Sequence, residues 1–458
     1  MPQKKVFYRT AFLLLSFLIV LVVRLAYQAV PVASAYGAKI LCSGFYLQHR
    51  DPQQVIKENL SIFPFSLFNY TLNKRDSSVS GSLWGFAKRK AIYRIGLGAT
   101  LVNDSSETTI RNQKFIRSAA PVINTDTVPW PNGDLLPDRL PTGINQSALE
   151  RVLKNALAEY HNGDPVHTKA LVVVYNGQLV AEKYADGYDR NTLMPAWSAT
   201  KSITAALIGI LVKKGKLVVE DAAPVSEWRG TDKEKITLKQ LLQQTAGLDY
   251  EENYRKPGTA TTLLFKKGNA AAYAAKLPLL YPPGTMFNYS SGNSNILSRI
   301  IRNSVEESSY HTFPYQSLLF KIGMYSTVLE PDASGTYVGS SFCYATARDY
   351  ARFGLLYYNN GRWNDEQLLP DDWVQATVQP STANKLERYG YHFWLNGFDE
   401  TDSSKRWYPD VPEDMYFAAG FGGQCIFIIP SKKLVVVRLG IEAMDENAFL
   451  KNVITAIE

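Results

Sequence analysis

The sequence is poor in the residues from which metal centres and disulfide frameworks are built. Its 458 residues contain only three cysteines and five histidines. Cys42, Cys343 and Cys425 lie far apart without a CxxC pair, and no two histidines have the spacing of metal ligands. We therefore predict at most one disulfide, no metal site and no cofactor.

Concentrated charge is lacking too. The chain has 49 lysines and arginines against 42 aspartates and glutamates, a formal net charge of +7, but these charges are dispersed. The basic cluster at residues 88–90 (Lys-Arg-Lys) is short and is not repeated, so solvent-exposed lysines explain it and no nucleic-acid partner is predicted. Hydrophobic residues make up 46% of the chain, which is enough for a large folded core.

One long apolar run stands near the N-terminus. Residues 11–23 carry no charge and follow Lys4, Lys5 and Arg9, the pattern of a secretion signal or a membrane anchor. As a helix this run is about 20 Å long, short of a bilayer core of about 30 Å. The Ala-Ser-Ala sequence at 33–35 fits a cleavage site, so a cleaved signal and a retained anchor both stay open. Either way we expect an exported protein, periplasmic or anchored to the inner membrane facing the periplasm, with membrane contact through this segment only.

Composition changes between residues 103 and 145, where proline, asparagine, aspartate and glycine are frequent. This loop-like stretch predicts a domain boundary. We therefore divide the chain into a signal peptide or N-terminal membrane anchor (1–35), an N-terminal extension and linker (36–145) and a main domain (146–458).

Periodic patterns predict the elements of the main domain. Residues 170–185 are typical of a hairpin, because Asn176-Gly177 separates two apolar strands. Further elements are predicted by the spacing of apolar residues: helices over 147–161, 345–361 and 445–457, a strand pair over 424–440, and upstream a strand interrupted by glycines over 93–102. Strands at both ends with helices between them predict an α/β (α+β) domain, in which an antiparallel sheet is flanked by helices and joined by a mainly helical subdomain.

A serine and a lysine stand three residues apart where an apolar helix begins. Residues 196–202 are AWSATKS, followed by ITAALIGILV. On a helix, positions i and i+3 share a face, with Cβ atoms about 5–6 Å apart, so Lys201 can reach the hydroxyl of Ser198. An ordinary lysine is protonated at neutral pH and acts as a base only when burial or a second cation lowers its pKa. Taken alone, the stretch fits a helix cap and a surface charge as well.

Two later segments supply the other parts of an acyl-transfer site. PPGTMFNYSSGNSN places Tyr289 and Ser291 on a turn before an amphipathic helix. AAGFGGQ places Gly422 and Gly423 directly before a strand, where backbone N–H groups can approach a ligand closely. The order of serine helix, tyrosine loop and glycine strand is the layout of the penicillin-recognising serine hydrolases.

On these motifs, residues 150–458 resemble the β-lactamase-related serine hydrolases of the class C type, and among them the 6-aminohexanoate-dimer hydrolases and related esterases. The resemblance extends over ITLKQLLQQTAGLDYEENY, ATARDYARFGLLYYNNGRW and GFGGQCIFIIPSKKLVVVRLG, in family order. It implies a β-lactamase/transpeptidase-like fold and a serine hydrolase that cleaves a small ester or amide through an acyl-enzyme.

The same resemblance implies roles for single residues. Ser198 would be the nucleophile, Lys201 its activating partner and Tyr289 the proton relay. The backbone N–H groups of Ser198 and Gln424 would form the oxyanion hole. Substrate contacts would come from Tyr254, Ser291, Phe421, Gly422 and Gly423.

Departures from the family pattern define the alternatives. Where β-lactamases carry Lys-Thr-Gly, this chain has Phe-Gly-Gly at 421–423, and phenylalanine cannot donate to a carboxylate. β-Lactamase or D-peptidase activity is therefore a lesser alternative, and a non-catalytic, penicillin-binding-like envelope receptor or scaffold is the alternative from another class. A Ser-His-Asp triad is not predicted, because GxSxG is absent and His392 stands among aromatic residues whose packing explains it.

Overall fold

The computed structural model describes residues 2–116, 118–158, 160–161, 164–165, 167–442 and 444–457. Its helices are α1 (Pro2–Cys42), α2 (Pro52–Asn59), α3 (Glu107–Arg111), α4 (Gln146–Leu157), α5 (Thr200–Lys213), α6 (Leu238–Leu242), α7 (Thr259–Phe265), α8 (Ala270–Ala275), α9 (Ser291–Asn303), α10 (Ala347–Tyr358), α11 (Trp373–Thr377) and α12 (Glu446–Thr455). Its strands are β1 (Asn69–Asn73), β2 (Ser78–Leu83), β3 (Phe86–Arg94), β4 (Gly98–Leu101), β5 (Tyr160–His161), β6 (Asp164–Pro165), β7 (Ala170–Tyr175), β8 (Gln178–Tyr184), β9 (Met194–Pro195), β10 (Val328–Leu329), β11 (Cys343–Ala345), β12 (Arg362–Trp363), β13 (Glu366–Gln367), β14 (Trp394–Leu395), β15 (Tyr416–Gly420), β16 (Gln424–Ile429) and β17 (Leu434–Leu439).

These elements form two compact units. The first unit contains residues 1–112, 251–269 and 332–334, and the second contains 113–250, 270–331 and 335–458. The domain limits predicted from the sequence, at residues 35 and 145, remain a prediction.

The first unit is a four-stranded antiparallel sheet in the order β1-β2-β3-β4, on which the C-terminal part of α1 packs. Gly81 permits a close approach, since a Cβ there would lie 2.4 Å from the main-chain oxygen of Ser34. Residues 93–102, predicted as one strand, instead form the end of β3, a turn and β4. Gly96 and Gly98 have φ angles of 86° and 70°, and this left-handed backbone reverses the chain.

Helix α1 extends well beyond the apolar run from which it was predicted. Most described side chains over 12–27 are exposed, and the helix is long and apolar enough to cross a membrane. From Pro31 onward α1 is mostly buried within the first unit. Residues 33–35, the candidate cleavage site, are therefore helical and buried.

The second unit contains a six-stranded antiparallel sheet in the order β14-β15-β16-β17-β7-β8. The inner strands β7, β16 and β17 are runs of valine, isoleucine and phenylalanine, as expected of strands covered on both faces. Helices α4 and α12 pack on one face, around Val173, Phe427 and Val436. On the other face lies α10, where a Cβ at Gly354 would be 2.5 Å from Val435 Cγ1. This architecture confirms the predicted fold class.

Local predictions in this unit are largely confirmed. Asn176 and Gly177, with φ angles of 50° and 79°, form the two-residue turn between β7 and β8. The pair β16–β17 turns at residues 430–432, and α10 and α12 lie inside their predicted ranges. Helix α4 begins after its Asn145 cap and ends at Leu157, earlier than predicted.

Candidate active site

Ser198 and Lys201 meet at the start of α5. Ser198 lies on the 3₁₀ turn Trp197–Ala199, which leads directly into α5 and places Lys201 one turn further on. Lys201 Nζ donates to Ser198 Oγ at 2.9 Å. The lysine is only 1% exposed whereas the serine is half-buried, so the hydroxyl lies between the buried amine and solvent.

Three further groups surround the Lys201 amine. It donates to Ser291 Oγ at 3.0 Å and to the main-chain oxygen of Ser340 at 3.3 Å. The ring centroid of Tyr289 lies 4.8 Å from Nζ, a cation–π distance. The structure therefore brings the three predicted catalytic residues, Ser198, Lys201 and Tyr289, into one cluster.

The two serines that follow Tyr289 have different roles. Ser290 Oγ accepts from the amide of Asn293 at 3.2 Å and caps α9. Gln244 Oε1 accepts from the amide of Ser290 at 3.1 Å and fixes the loop. Ser291, predicted to contact substrate, is fully buried and faces Lys201, so its position fits orientation of the amine.

Aromatic side chains flank the nucleophile. The Tyr289 ring packs against Trp394, with centroids 5.2 Å apart. Trp197, directly before Ser198, contacts Phe421 with centroids 6.0 Å apart and Phe342 with centroids 6.1 Å apart. Phe421 is 64% exposed, so an apolar ring faces solvent beside the serine turn.

The glycine segment forms the turn between β15 and β16. Gly422 and Gly423 have φ angles of 78° and 75°, which favour glycine. Their carbonyl oxygens accept from Arg438 Nη1 at 2.7 and 2.9 Å. Arg438 lies on β17 and is fully buried, so it holds the turn in place.

Gly420 brings this segment against the nucleophile. A Cβ there would lie 3.0 Å from Ser198 N and 2.0 Å from the oxygen of Ala196, so the backbone approach requires glycine. Gln424 pairs with Gly420 across the ladder, and its side-chain amide donates to the oxygen of Phe421 at 3.1 Å. The end of β15, from which the chain turns toward the predicted oxyanion donor Gln424, therefore lies beside the amide of Ser198.

His392 has no free ring nitrogen for a triad. Nδ1 donates to the oxygen of Leu242 at 2.9 Å, and Nε2 accepts from Ser294 Oγ at 3.0 Å. Burial and the nearby charge of Lys201 lower the pKa of His392 to about 3. The imidazole is therefore neutral and structural, and its ring lies 6.3 Å from that of Tyr389.

Tyr254 belongs to the first unit, in which its hydroxyl donates to Glu252 Oε1 at 2.7 Å. Its predicted substrate contact stays a prediction.

Sequence reasoning missed several residues that build the site. Trp197, Ser340 and Arg438 acquire their roles through partners far along the chain. The signals available were weak: an arginine inside the apolar strand β17, and a tryptophan directly before the serine.

Comparisons with known proteins agree with this geometry. The Beta-lactamase family model matches residues 154–440. The chain is 23% identical over 296 residues to the 6-aminohexanoate-dimer hydrolase of Paenarthrobacter ureafaciens, which is 59% of this chain and 72% of the relative.

Two solved structures share the fold. A Bacillus anthracis protein assigned as a 6-aminohexanoate-dimer hydrolase superposes with a TM-score of 0.54 at 22% identity, covering 75% of this chain and 87% of its own. A family VIII carboxylesterase superposes with a TM-score of 0.52 at 15% identity, covering 70% and 98%. Because the family model spans more than half of the residues, the resemblance inferred from the motifs is confirmed, and the chain belongs to the beta-lactamase family of serine hydrolases.

Proposed function

We propose that the chain cleaves an ester or a small amide through an acyl-enzyme on Ser198, activated by Lys201 and Tyr289. The observation that carries this proposal is the position of Lys201 Nζ, 2.9 Å from Ser198 Oγ and 3.0 Å from Ser291 Oγ. Three acceptors of the amine, Ser198 Oγ, Ser291 Oγ and the main-chain oxygen of Ser340, are uncharged. In the proposed mechanism the amine must give up a proton before it can accept one from Ser198.

The reaction follows from the cluster. Ser198 Oγ attacks the carbonyl carbon while its proton passes to the Lys201–Tyr289 pair. The bond to the leaving group then breaks as Tyr289 returns a proton to the departing oxygen or nitrogen. Water then attacks the acyl carbon and gives a proton to the Lys201–Tyr289 pair. The bond between that carbon and Ser198 Oγ breaks, the carboxylic acid leaves, and Ser198 takes the proton back.

Backbone N–H groups would hold the oxyanion of each tetrahedral intermediate. Ser198 supplies one donor, and the hairpin around 420–424 supplies the other. Gln424 is the donor implied by the family resemblance, and the approach of Gly420 to Ser198 N makes the amide of Phe421 a second candidate. Each donor in such a site contributes about 3–4 kcal/mol to transition-state stabilisation.

The aromatic surroundings favour a neutral acyl group. Trp197 and Phe421 place apolar surface beside the nucleophile, where related enzymes carry a cation. A carboxylate on the substrate would lose its hydration there without gaining a donor from Phe421. β-Lactams and peptide C-termini are therefore poor candidates. The substrate contacts predicted for Gly422 and Gly423 stay a prediction, and the amide of Gly423 donates to the oxygen of Gly420 at 3.2 Å.

Helix α1 is the basis for the cellular location that we propose. We place the chain outside the cytoplasm, attached to the membrane by the exposed apolar part of α1. Residues 33–35 lie inside the helix and are buried, so a cut there would remove residues that pack in the first unit. This favours a retained anchor over a cleaved signal.

Labelling with a fluorophosphonate probe tests the nucleophile. We expect stoichiometric labelling of the wild type on the peptide that contains Ser198, and none of Ser198→Ala. Equal labelling of both proteins, or of neither, contradicts the assignment. Acylation of Ser198 by p-nitrophenyl esters without repeated product release would instead indicate the non-catalytic receptor.

A further inference from the structure

The hairpin between β2 and β3 lies on the same side of the first unit as the apolar part of α1. The main-chain oxygen of Ser34 on α1 lies against Gly81 of β2, and Gly81 pairs with Arg89 of β3. Further along the helix, Lys39 Nζ donates to the oxygen of Ala99. Because Ala99 pairs with Tyr93, the strands run with the hairpin tip toward the start of α1.

The tip reaches the point at which the side chains of α1 change from exposed to half-buried. From Gly81 to Gly85 the strand extends about 13 Å, which corresponds to about nine residues of helix. Counting back from Ser34 places the tip near residues 25–27. The exposed, apolar part of α1 ends at Tyr27, and half-buried residues follow.

Two exposed aromatic side chains stand at this tip. Trp84 is 71% exposed and Phe86 is 74% exposed. Lys88, two residues beyond, is exposed, and Arg89 is half-buried. Aromatic rings next to basic side chains are the composition of a membrane interface, where rings sit at the headgroup level and cations meet anionic headgroups.

The turn conformation does not explain the tryptophan. Trp84 has a φ of 49° and Gly85 a φ of 89°, in a two-residue turn that normally selects asparagine or glycine at its first position. The β7–β8 hairpin shows that preference, with Asn176 at the same place and a φ of 50°. A bulky ring at a left-handed position opposes folding, so a contact outside the first unit is the better reason for Trp84.

We propose that the β2–β3 tip is a second membrane contact, which seats Trp84 and Phe86 in the headgroup region of the bilayer that α1 crosses. Lys88 and Arg89 would lie against anionic headgroups. The inference rests on the proposed retention of α1 as an anchor, but it does not depend on the hydrolase chemistry. It extends the membrane contact beyond the N-terminal segment predicted from the sequence.

Single-site fluorescence in lipid vesicles tests this contact. The full chain carrying Trp84→Cys is labelled with the fluorophore NBD and reconstituted into phosphatidylcholine–phosphatidylglycerol vesicles, with no other protein present. Some lipids carry a nitroxide quencher near the headgroup end of the acyl chain. The native cysteines are buried, which limits labelling to the introduced site.

Two further positions make the result unambiguous. Ile95→Cys is the matched control, because Ile95 is 66% exposed and lies on the turn at the far end of β3. Ile19→Cys reports whether α1 enters the bilayer. We expect quenching at position 84 to exceed that at position 95 by about fivefold and to approach that at position 19.

Two outcomes would overturn the proposal, each for a different reason. Strong quenching at 19 with equal, weak quenching at 84 and 95 removes the second contact and leaves the anchor. Weak quenching at all three positions removes the anchor and the contact that rests on it.

Discussion

Two buried lysines in this chain show what separates a structural amine from a candidate catalytic one. Lys39 and Lys201 are each 1% exposed, and they belong to different units. Lys39 Nζ donates to a main-chain oxygen, that of Ala99, at 2.6 Å. Lys201 Nζ also donates to a main-chain oxygen, that of Ser340, but in addition it contacts the side-chain hydroxyls of Ser198 and Ser291. Burial is common to both, so the difference lies in a partner that can itself react and is open to solvent.

The comparison of the two lysines assumes that Ser198, whose hydroxyl contacts Lys201, is the nucleophile. We expect Ser198→Ala to lower kcat by at least about 10⁴-fold, because no acyl-enzyme can form. Turnover of p-nitrophenyl acetate measures this, and circular dichroism checks that the fold is retained. Substantial turnover by the variant would show that the hydroxyl beside Lys201 is not the nucleophile.

The tyrosine above Lys201 provides the next largest effect. We expect Tyr289→Phe to lower kcat by about 10²- to 10³-fold, because the ring stays while the relay hydroxyl is lost. Tyr389→Phe is the matched control, since the Tyr389 ring lies 5.6 Å from that of Tyr289. We expect less than about a threefold change for the control. Similar losses in both variants would reduce Tyr289 to a packing residue.

Phe421 tests whether the exposed side of the serine selects neutral substrates. We expect Phe421→Lys to raise kcat/KM for a carboxylate-bearing ester about 5- to 10-fold relative to its methyl ester, because the new ammonium can pair with the anion. Phe421→Leu controls for loss of the ring. An unchanged ratio of the two kcat/KM values would place the acyl group away from residue 421.

The smallest effect concerns His392, whose pKa is lowered first by burial and then by the nearby charge of Lys201. Its pKa is lowered to about 3, whereas in the unfolded chain it is about 6.5. Below about pH 6.5 the unfolded state binds a proton that the folded state does not, so stability is present above that pH and is lost as the pH falls.

The predicted slope is up to about 1.4 kcal/mol of unfolding free energy per pH unit between about pH 6 and 4. Urea unfolding of the wild type and of His392→Asn at several pH values measures it. We expect a shallower slope in the variant, whatever its absolute stability. Parallel slopes would show that His392 titrates alike in both states.

Much of the second unit was predictable because its signals are local. Asn176-Gly177 fixes a two-residue turn through backbone preferences, and the runs of valine and isoleucine in β16 and β17 mark covered strands. Ser198, on the turn that leads into α5, and Lys201 of α5 face each other through their spacing of three residues.

The remaining features depend on contacts between distant residues. Residue 291 carries no sign in the sequence that it accepts from Lys201, ninety positions away. Arg438 holds the glycine turn only once β17 lies beside β16. Residues 33–35 fit a cleavage site by composition, and only their packing near Gly81 shows them as part of a buried helix.

The most direct test of the difference between the two lysines is the rate of fluorophosphonate labelling of Ser198 in two matched variants. Methionine is close to lysine in length and carries no amine, so Lys201→Met and Lys39→Met remove the same group from two buried sites. We expect labelling to slow by at least about 10³-fold in Lys201→Met and by less than about threefold in Lys39→Met. Equal slowing in folded samples of both variants would contradict the claim that Lys201 activates Ser198 through its contact with the hydroxyl.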